Sequence, residues 1–472
     1  MPRSRALEAL LLVLPVLALP GLLFGLSRGE QTFRYPSEPA RTLRLVIASP
    51  QHQGIKNEFE EGFKRWLFER DGTGVEVTWL DHGGGTKTLR WIEEQYRHSP
   101  DGIGVDVLFG GGTDPYEELK ADGRMERYDP PHEVLDGVAL DLGGFPIVDP
   151  DHTWFGTALT GFGLMVNRAV LERVPKLEGI EVETWEDLCD PRLDGWVGAA
   201  DPRNSSSYHT FYEILLQSAP SFDEGLALAR RIGANVSAYA KYSIQVPQLC
   251  AVGQVACAPS IDQYVAAQIE KVGDAIVFTL PEGKTLVNAD AAGILKGAPN
   301  GEAARAFIDF LLSEAAGRLW MGRVGDEGGP RRQPLVRASV RPHLYRDMEG
   351  RTDVRDDPFL LEQTFRYDYD KASLRWTLLN DLLGALVIDT QDDLREAMRA
   401  LRRLEGPARE EAEERLFANP LTEAEMLELA RTRWDEDEFK ERKRIEWADF
   451  ARANYRAVAA MAASAADDGG DR

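Results

Sequence analysis

The chain predicts a two-lobed α/β protein carrying a C-terminal helical extension, and three observations lead to it. From Leu43 onward short apolar runs alternate with helical patterns, the order of βα units around a parallel sheet. The stretch TWFGTALTGFGLMVN, Thr153 to Asn167, has no charged side chain although charged residues crowd both flanks. At 472 residues the chain is also longer than one hydrophobic core comfortably serves. We read 153–167 as a hinge crossing between lobes. Residues 42–152, joined by 288–345 on the return, form the first lobe, and 168–287 form the second.

In the first lobe, Leu43 to Ala48 reads as a strand, and Ile55, Phe59, Phe63 and Leu67 share one helical face after it. Val75, Val77 and Trp79 alternate as a second strand before a helix that turns Leu89, Ile92 and Tyr96 inward. Val105 to Phe109 makes a third strand, and Asp114-Pro115 opens its helix with a cap and a first-turn proline. Successive parallel strands open their carboxyl ends on one edge, where ligands bind. That edge should gather three loops: Ser49, Gln51 and His52; Gly84, Gly85 and Thr86; Gly111, Gly112 and Thr113. Free amides at the following helix N-termini suit an anion or a polar head group.

The second lobe repeats the scheme. Trp196 to Ala200 is a strand leading to Ser205, Ser206 and Ser207 at the start of the helix Tyr208 to Leu216. Plain capping needs only one serine, not three, so Ser205, Ser206 and Ser207 are candidates for ligand contact. Ile244 to Val252 reads as helical and Gln254 to Ala258 as a strand, with Asp262 and Tyr264 at the head of the next helix. Ala275 to Leu280 and Thr285 to Val287 read as strands. Thr160 and Phe162 of the crossing should face the solute from the back of the cleft, with Gly156, Gly161 and Gly163 permitting close approach of other backbone.

Several classes of function are disfavoured. A formal net charge of −23 leaves no basic stripe for nucleic acid. His82-Gly83-Gly84-Gly85 spells an oxyanion-hole pattern, but its companion Gly25-Leu26-Ser27-Arg28-Gly29 lies in the N-terminal apolar segment with no strand before it. No phosphate-loop or helical zinc-peptidase pattern occurs. An unrecognised secreted hydrolase is the weaker alternative. Arg3 and Arg5 ahead of Ala9 to Leu26 read as an export signal or N-terminal membrane anchor, residues 1–28, followed by a linker over 29–41. Cys189, Cys250 and Cys257 are too few for a disulfide framework. Cys250 and Cys257 are either a bridge or, in preference, buried free thiols.

Past Tyr345 the composition turns helical. Asp368 to Asp389 places Leu374, Leu378, Leu382 and Leu386 on one stripe, Gln391 to Leu404 follows, Thr422 to Glu425 forms a capping box, and a charged helix spans Phe439 to Met461. These helices, 346–461, are expected to pack on the outside of the lobes, with 462–472 as a disordered tail.

The ordered stretches IASPQHQGIKNEFEEGF, WLDHGGGT, GVDVLFGGGT, TGFGLMVNRAVL, TWEDLCDPRLDGWVGAADPRNSSS, VACAPSIDQY and AAGILKGAPNGEAARAFIDFLLSEAAGRLW resemble the periplasmic solute-binding proteins of ABC importers. The class in question takes up ferric iron, thiamine, polyamines and aminophosphonates. That resemblance implies the type II periplasmic-binding-protein fold, closing on a small-molecule or ion solute between the lobes, with an ABC permease in the inner membrane as partner. It implies a monomer in the periplasm or on the extracellular face of the membrane, and no resident cofactor. A solute sensor for a membrane receptor is the alternative. Ferric members pair Gln51 and His52 with adjacent tyrosines near Tyr264. Here Val265 follows Tyr264, so the iron set, His52 and Tyr264, lacks one phenolate, and an oxygen-rich or anionic solute suits the serines and glycine loops better.

Overall fold

A computed structural model describes residues 33–354, 357–361 and 366–469. The export or anchor segment, 1–28, lies outside them, as do 470–472. No helix among the described residues is long and apolar enough to cross a membrane.

The first three βα units form as the periodicity predicts. Strand β1 (Arg41–Ala48) runs parallel to β2 (Thr73–Leu80) over eight paired residues and to β3 (Val107–Phe109). Helix α1 (Gln53–Asp71) buries Ile55, Phe59, Phe63 and Leu67, and stops where Gly72 takes the left-handed conformation that an L side chain resists. Helices α2 (Gly85–His98) and α3 (Asp114–Ala121) follow the other two strands. A short hairpin, β4 (Asp141–Leu142) and β5 (Phe145–Pro146), precedes the crossing.

The uncharged stretch becomes β6 (Phe155–Asn167), buried along its whole length. After α4 (Arg168–Arg173), the second lobe is built from β7 (Val197–Ala200), α5 (Ser206–Ser218), α6 (Phe222–Asn235), β8 (Val236–Ala240), α7 (Gln245–Ala251), β9 (Cys257–Ile261), α8 (Asp262–Val272) and β10 (Ile276–Thr279). Strand β11 (Val287–Ile294) carries the chain back, and α9 (Gly301–Leu312) and α10 (Glu314–Met321) cover the first lobe. The strands order as β2-β1-β3-β11-β6-β9-β7-β8, with β10 on β6. The N-terminal part of β6 pairs antiparallel with β11, and the part from Phe162 onward pairs with β9 and β10. One strand is therefore shared by both halves of the mixed sheet.

Three local readings are corrected. The strand expected over 254–258 starts at Cys257, because Gly253 turns left-handed and the Gln254 amide still bonds back to the Leu249 carbonyl. Thr285 to Val287 is only the approach to β11, which continues through Asp290; a carboxylate is tolerated in that buried strand because Arg337 lies 2.6 Å from it. The single helix expected over 368–389 is three pieces: α11 (Tyr369–Leu374), α12 (Trp376–Leu383) and a π-turn, Gly384–Ile388. The break at Arg375 turns its guanidinium inward. Cys250 and Cys257 are buried and unbridged.

The remaining helices are α13 (Gln391–Leu401), α14 (Gly406–Phe417), α15 (Glu423–Thr432), entered through the Thr422–Glu425 capping box, and α16 (Asp437–Gly469). Helix α16 runs on past Met461, through residues read as a tail. These helices are more than an outer coat, since their leucines share one apolar cluster with the second lobe. The seam with α5 is polar and closed: Arg375 donates to both oxygens of Glu213 at 2.8 and 2.7 Å and to Glu423 at 2.7 Å. His209, one turn earlier, stacks on Trp376 at 3.6 Å between centroids. Burial pushes the Glu213 pKa up, but the hydrogen bonds and charge of Arg375 outweigh it, and the carboxyl stays below its usual range. Arg375→Met would leave Glu213 ionised with no cation bonded to it and only the Gln217 amide as hydrogen-bond donor at 2.9 Å. We expect a loss of about 3 kcal/mol, read as a lower urea midpoint; a midpoint equal to wild type would show that the pair contributes nothing net.

Candidate functional site

The carboxyl edge of the first lobe meets the crossing strands through the loop after β3. Gly110 and Gly111 both have positive φ, and the Gly110 amide and the Gly111 carbonyl bond to the Ala291 carbonyl and amide of β11. A side chain at Gly110 would collide with Gln51, and one at Gly112 would press on the Asn288 amide. The glycines are thus required for close approach, and Gln51, Gly112 and Asn288 come together.

Beneath them lies a buried charge pair. Arg337, 1% exposed, sits 2.6 Å from Asp290. It donates a hydrogen bond to the Thr160 hydroxyl and packs over Trp320 at 5.1 Å. Gln51 donates to Asp290 at 3.4 Å, and Thr160 lies 3.5 Å from the other carboxylate oxygen. Val336, just before, holds φ at +46°, a strained value for a β-branched residue. Sequence reasoning missed this pair. Two signals pointed to it: an aspartate inside the uncharged run Thr285 to Ile294, and an arginine inside Pro334 to Val340.

Other predicted residues are placed as follows. His52 is exposed at the N-terminus of α1; crowding first, then the charges of Arg337 and Lys56, hold its pKa below the usual value, so the ring is neutral near pH 7. Phe162, Ser207 and Tyr264 line one pocket of about 280 Å³ with Tyr208, Ser243 and Ser260. Tyr264 is hydrogen-bonded to Ser243, and burial raises its phenol pKa. Ser206 is exposed beside this pocket at the start of α5.

Six predicted positions are occupied otherwise. Ser49 is fully buried, donating to the Phe109 carbonyl at 2.8 Å and accepting from the Gln51 amide, so it shapes the loop rather than facing the cleft. Ser205 is spent as the cap of α5. Thr113 is buried at the start of α3. Gly84, Gly85 and Thr86 open α2 beside the edge strand β2, two strands farther from the crossing than β3.

Asp262 turns away from the Tyr264 pocket and lines a second cavity of about 650 Å³ with Gly161, Phe278, Leu280 and Val336. Its oxygens accept from the amides of Gly161 (2.8 Å) and Gln263 (2.6 Å). Burial, opposed by Arg337 and these amides, still pushes its pKa up to about 6. Asp114 is open to solvent yet hemmed in by protein, and lost hydration together with Glu117 pushes its pKa to about 6 as well. Among the described residues no three His, Cys, Asp or Glu side chains group as a metal site.

A raised carboxyl pKa means that the folded state holds the proton more tightly, so the Asp262 contribution to stability is lost as pH rises from about 4 to about 6. Asp262→Asn removes that dependence. Its stability relative to wild type should improve by about 1–2 kcal/mol between those limits. Thermal melts at both ends of the window check this; a constant difference would show that the carboxyl is well hydrated.

Comparison with known proteins agrees with this geometry. Residues 106–326 match the family model described as bacterial extracellular solute-binding protein. Iron uptake protein A1 of Synechocystis sp. is 29% identical over 291 residues, 59% of this chain and 73% of that one. The phosphoglycerate transport regulatory protein PgtC of Salmonella typhimurium is 27% identical over 169 residues, 35% of this chain and 40% of that one. The periplasmic binding protein AfuA from Actinobacillus pleuropneumoniae, with exogenous fructose-6-phosphate bound, matches at a TM-score of 0.55 and 22% identity, covering 72% of this chain and 98% of that one. Ferric iron-binding protein A of Mannheimia haemolytica, in an open conformation, matches at 0.53 and 14%, with 72% and 98% covered. At these identities the solved structures speak for the fold. The stretch 106–326 is thus similar to the bacterial extracellular solute-binding proteins, and the chain shares its fold with periplasmic binding proteins.

Proposed function

We propose that the protein captures a small, oxygen-rich or anionic solute in the cleft between its lobes and delivers it to a membrane permease of the ABC importer type, working outside the cytoplasm as a monomer. One observation carries the reading. Gln51 of the first lobe and Thr160 of the crossing both meet Asp290, and Phe162, Ser207, Ser243 and Tyr264 line one pocket on the second-lobe side of the same crossing, which supports a solute site between them. Gln51, Ser207, Ser243 and Tyr264 are hydroxyl or amide groups at or near helix starts, which suit a ligand rich in acceptors. Arg337 adds buried donors that its neighbours leave partly unspent, its Nε among them. Ferric iron fits less well, because the position after Tyr264 is a buried valine and offers no second phenolate.

A second reading, a sensor that signals to a membrane receptor, gains from the matched relative that is a transport regulatory protein. Both readings need the same cleft. Retention by an N-terminal anchor, residues 1–28, is part of the proposal and fits either.

Native mass spectrometry of the purified protein should reveal a co-purified small molecule. Replacing His52, Ser207 or Tyr264 by Ala should weaken its binding roughly tenfold or more each, the worth of a hydrogen bond to a charged group, while melting temperatures stay near wild type. Unchanged affinity in all three variants would remove the assignment of the cleft.

A further inference from the structure

The segment Arg366–Tyr369 joins the two lobes away from the hinge. Gln217 of α5 grips its backbone, accepting from the Asp368 amide at 2.6 Å and donating to the Asp368 carbonyl at 3.3 Å. Asp368 also caps α11. The segment is therefore fixed to the second lobe on one side.

Its two tyrosines reach the other way. Phe145 meets Tyr367 at 6.0 Å and Tyr369 edge-on at 5.2 Å, and the two tyrosines meet each other at 4.9 Å. The Thr113 side chain is a hydrogen-bond partner of the Tyr369 hydroxyl. Phe145 lies in the β4–β5 hairpin directly opposite Leu142. Leu142 belongs to the apolar cluster of the first lobe, whereas Phe145 belongs to that of the second lobe and its helices. Apart from the crossing strands, Phe145 is the one first-lobe side chain in that cluster among the described residues.

We infer that the C-terminal module latches the cleft: Tyr367 and Tyr369, held on the second lobe, grip Phe145 and Thr113 of the first and make the arrangement seen here the resting state. Rotation of the first lobe about β6 and β11 carries Phe145 and Thr113 away, while Gln217 keeps the tyrosines in place. Opening must then expose three aromatic rings that now cover one another. Contacts present in only one of two states bias the equilibrium by their own free energy, so the empty protein favours the latched form.

The test needs no solute. Nitroxide labels on Glu69→Cys (α1) and Val252→Cys (after α7), in a Cys189→Ser background, report the distance between lobes by pulsed electron resonance on the full chain. The otherwise unaltered protein should give one short distance. Phe145→Ala and Tyr369→Ala should each raise a longer-distance population roughly tenfold. Tyr369→Phe, which keeps the ring and loses the Thr113 bond, should do less. Ile445→Ala, exposed on α16, should leave the distribution unchanged. Distributions in Phe145→Ala and Tyr369→Ala that superimpose on the parent, with circular dichroism showing both folded, would overturn the latch. Failure of the solute-binding reading would appear in affinities and not in this distance.

Discussion

Burial of β6 along its whole length is the constraint from which the architecture follows. A strand covered on both faces carries charge only where a partner meets it, as Arg337 meets Asp290 of β11, and both halves of β6 need partners for their backbone groups. The sheet supplies β11 on one side, then β9 and β10 farther along. Gly156 and Gly163 make this possible: an added side chain would stand 2.8 Å from the Ile147 carbonyl oxygen or 2.4 Å from that of Thr279. Close backbone approach at these points keeps the crossing tightly packed.

The Asp290–Arg337 pair acts on the same crossing. Removing two charges from water costs more than their attraction returns unless further bonds are made, so such pairs are weak arguments for stability. Here the carboxylate also meets Gln51 and Thr160, so one group touches the first-lobe loop, both crossing strands and the chain on its return. That geometry serves register more than energy: a slip of β11 against β6 would strand a buried aspartate. The strained Val336 backbone, directly before Arg337, is consistent with a position dictated from both sides.

How much was legible in the sequence follows from what each signal measures. Periodicity reports burial, and the burial of α1, the parallel βα units and the uncharged crossing could all be read from it. Loops after strands share one edge by topology, which is why Gln51, Gly112, Ser207 and Tyr264 could be named as candidates. Topology does not say which way a side chain turns at a helix start. Asp262 and Tyr264 are two residues apart on α8 and line different cavities. Ser49 and Ser205 are polar residues consumed by their own loops. Arg337 was hidden because its partners lie 47 and 177 residues away, at Asp290 and Thr160. Pairings of that span leave no local pattern.

The C-terminal helices carry the same lesson into mechanics. Their leucine stripes predict amphipathic helices, but nothing in a stripe says which lobe will receive it. The structure merges them with the second lobe through α5, whose face presents His209, Glu213 and Gln217 at four-residue spacing to Trp376, Arg375 and Asp368. The opposite end of that helix begins at the serines of the cleft. Anything that moves the module against α5 therefore moves the wall that carries Ser207. The module shares one apolar core with the second lobe, so the latch proposed above is a contact between that enlarged half and the first lobe.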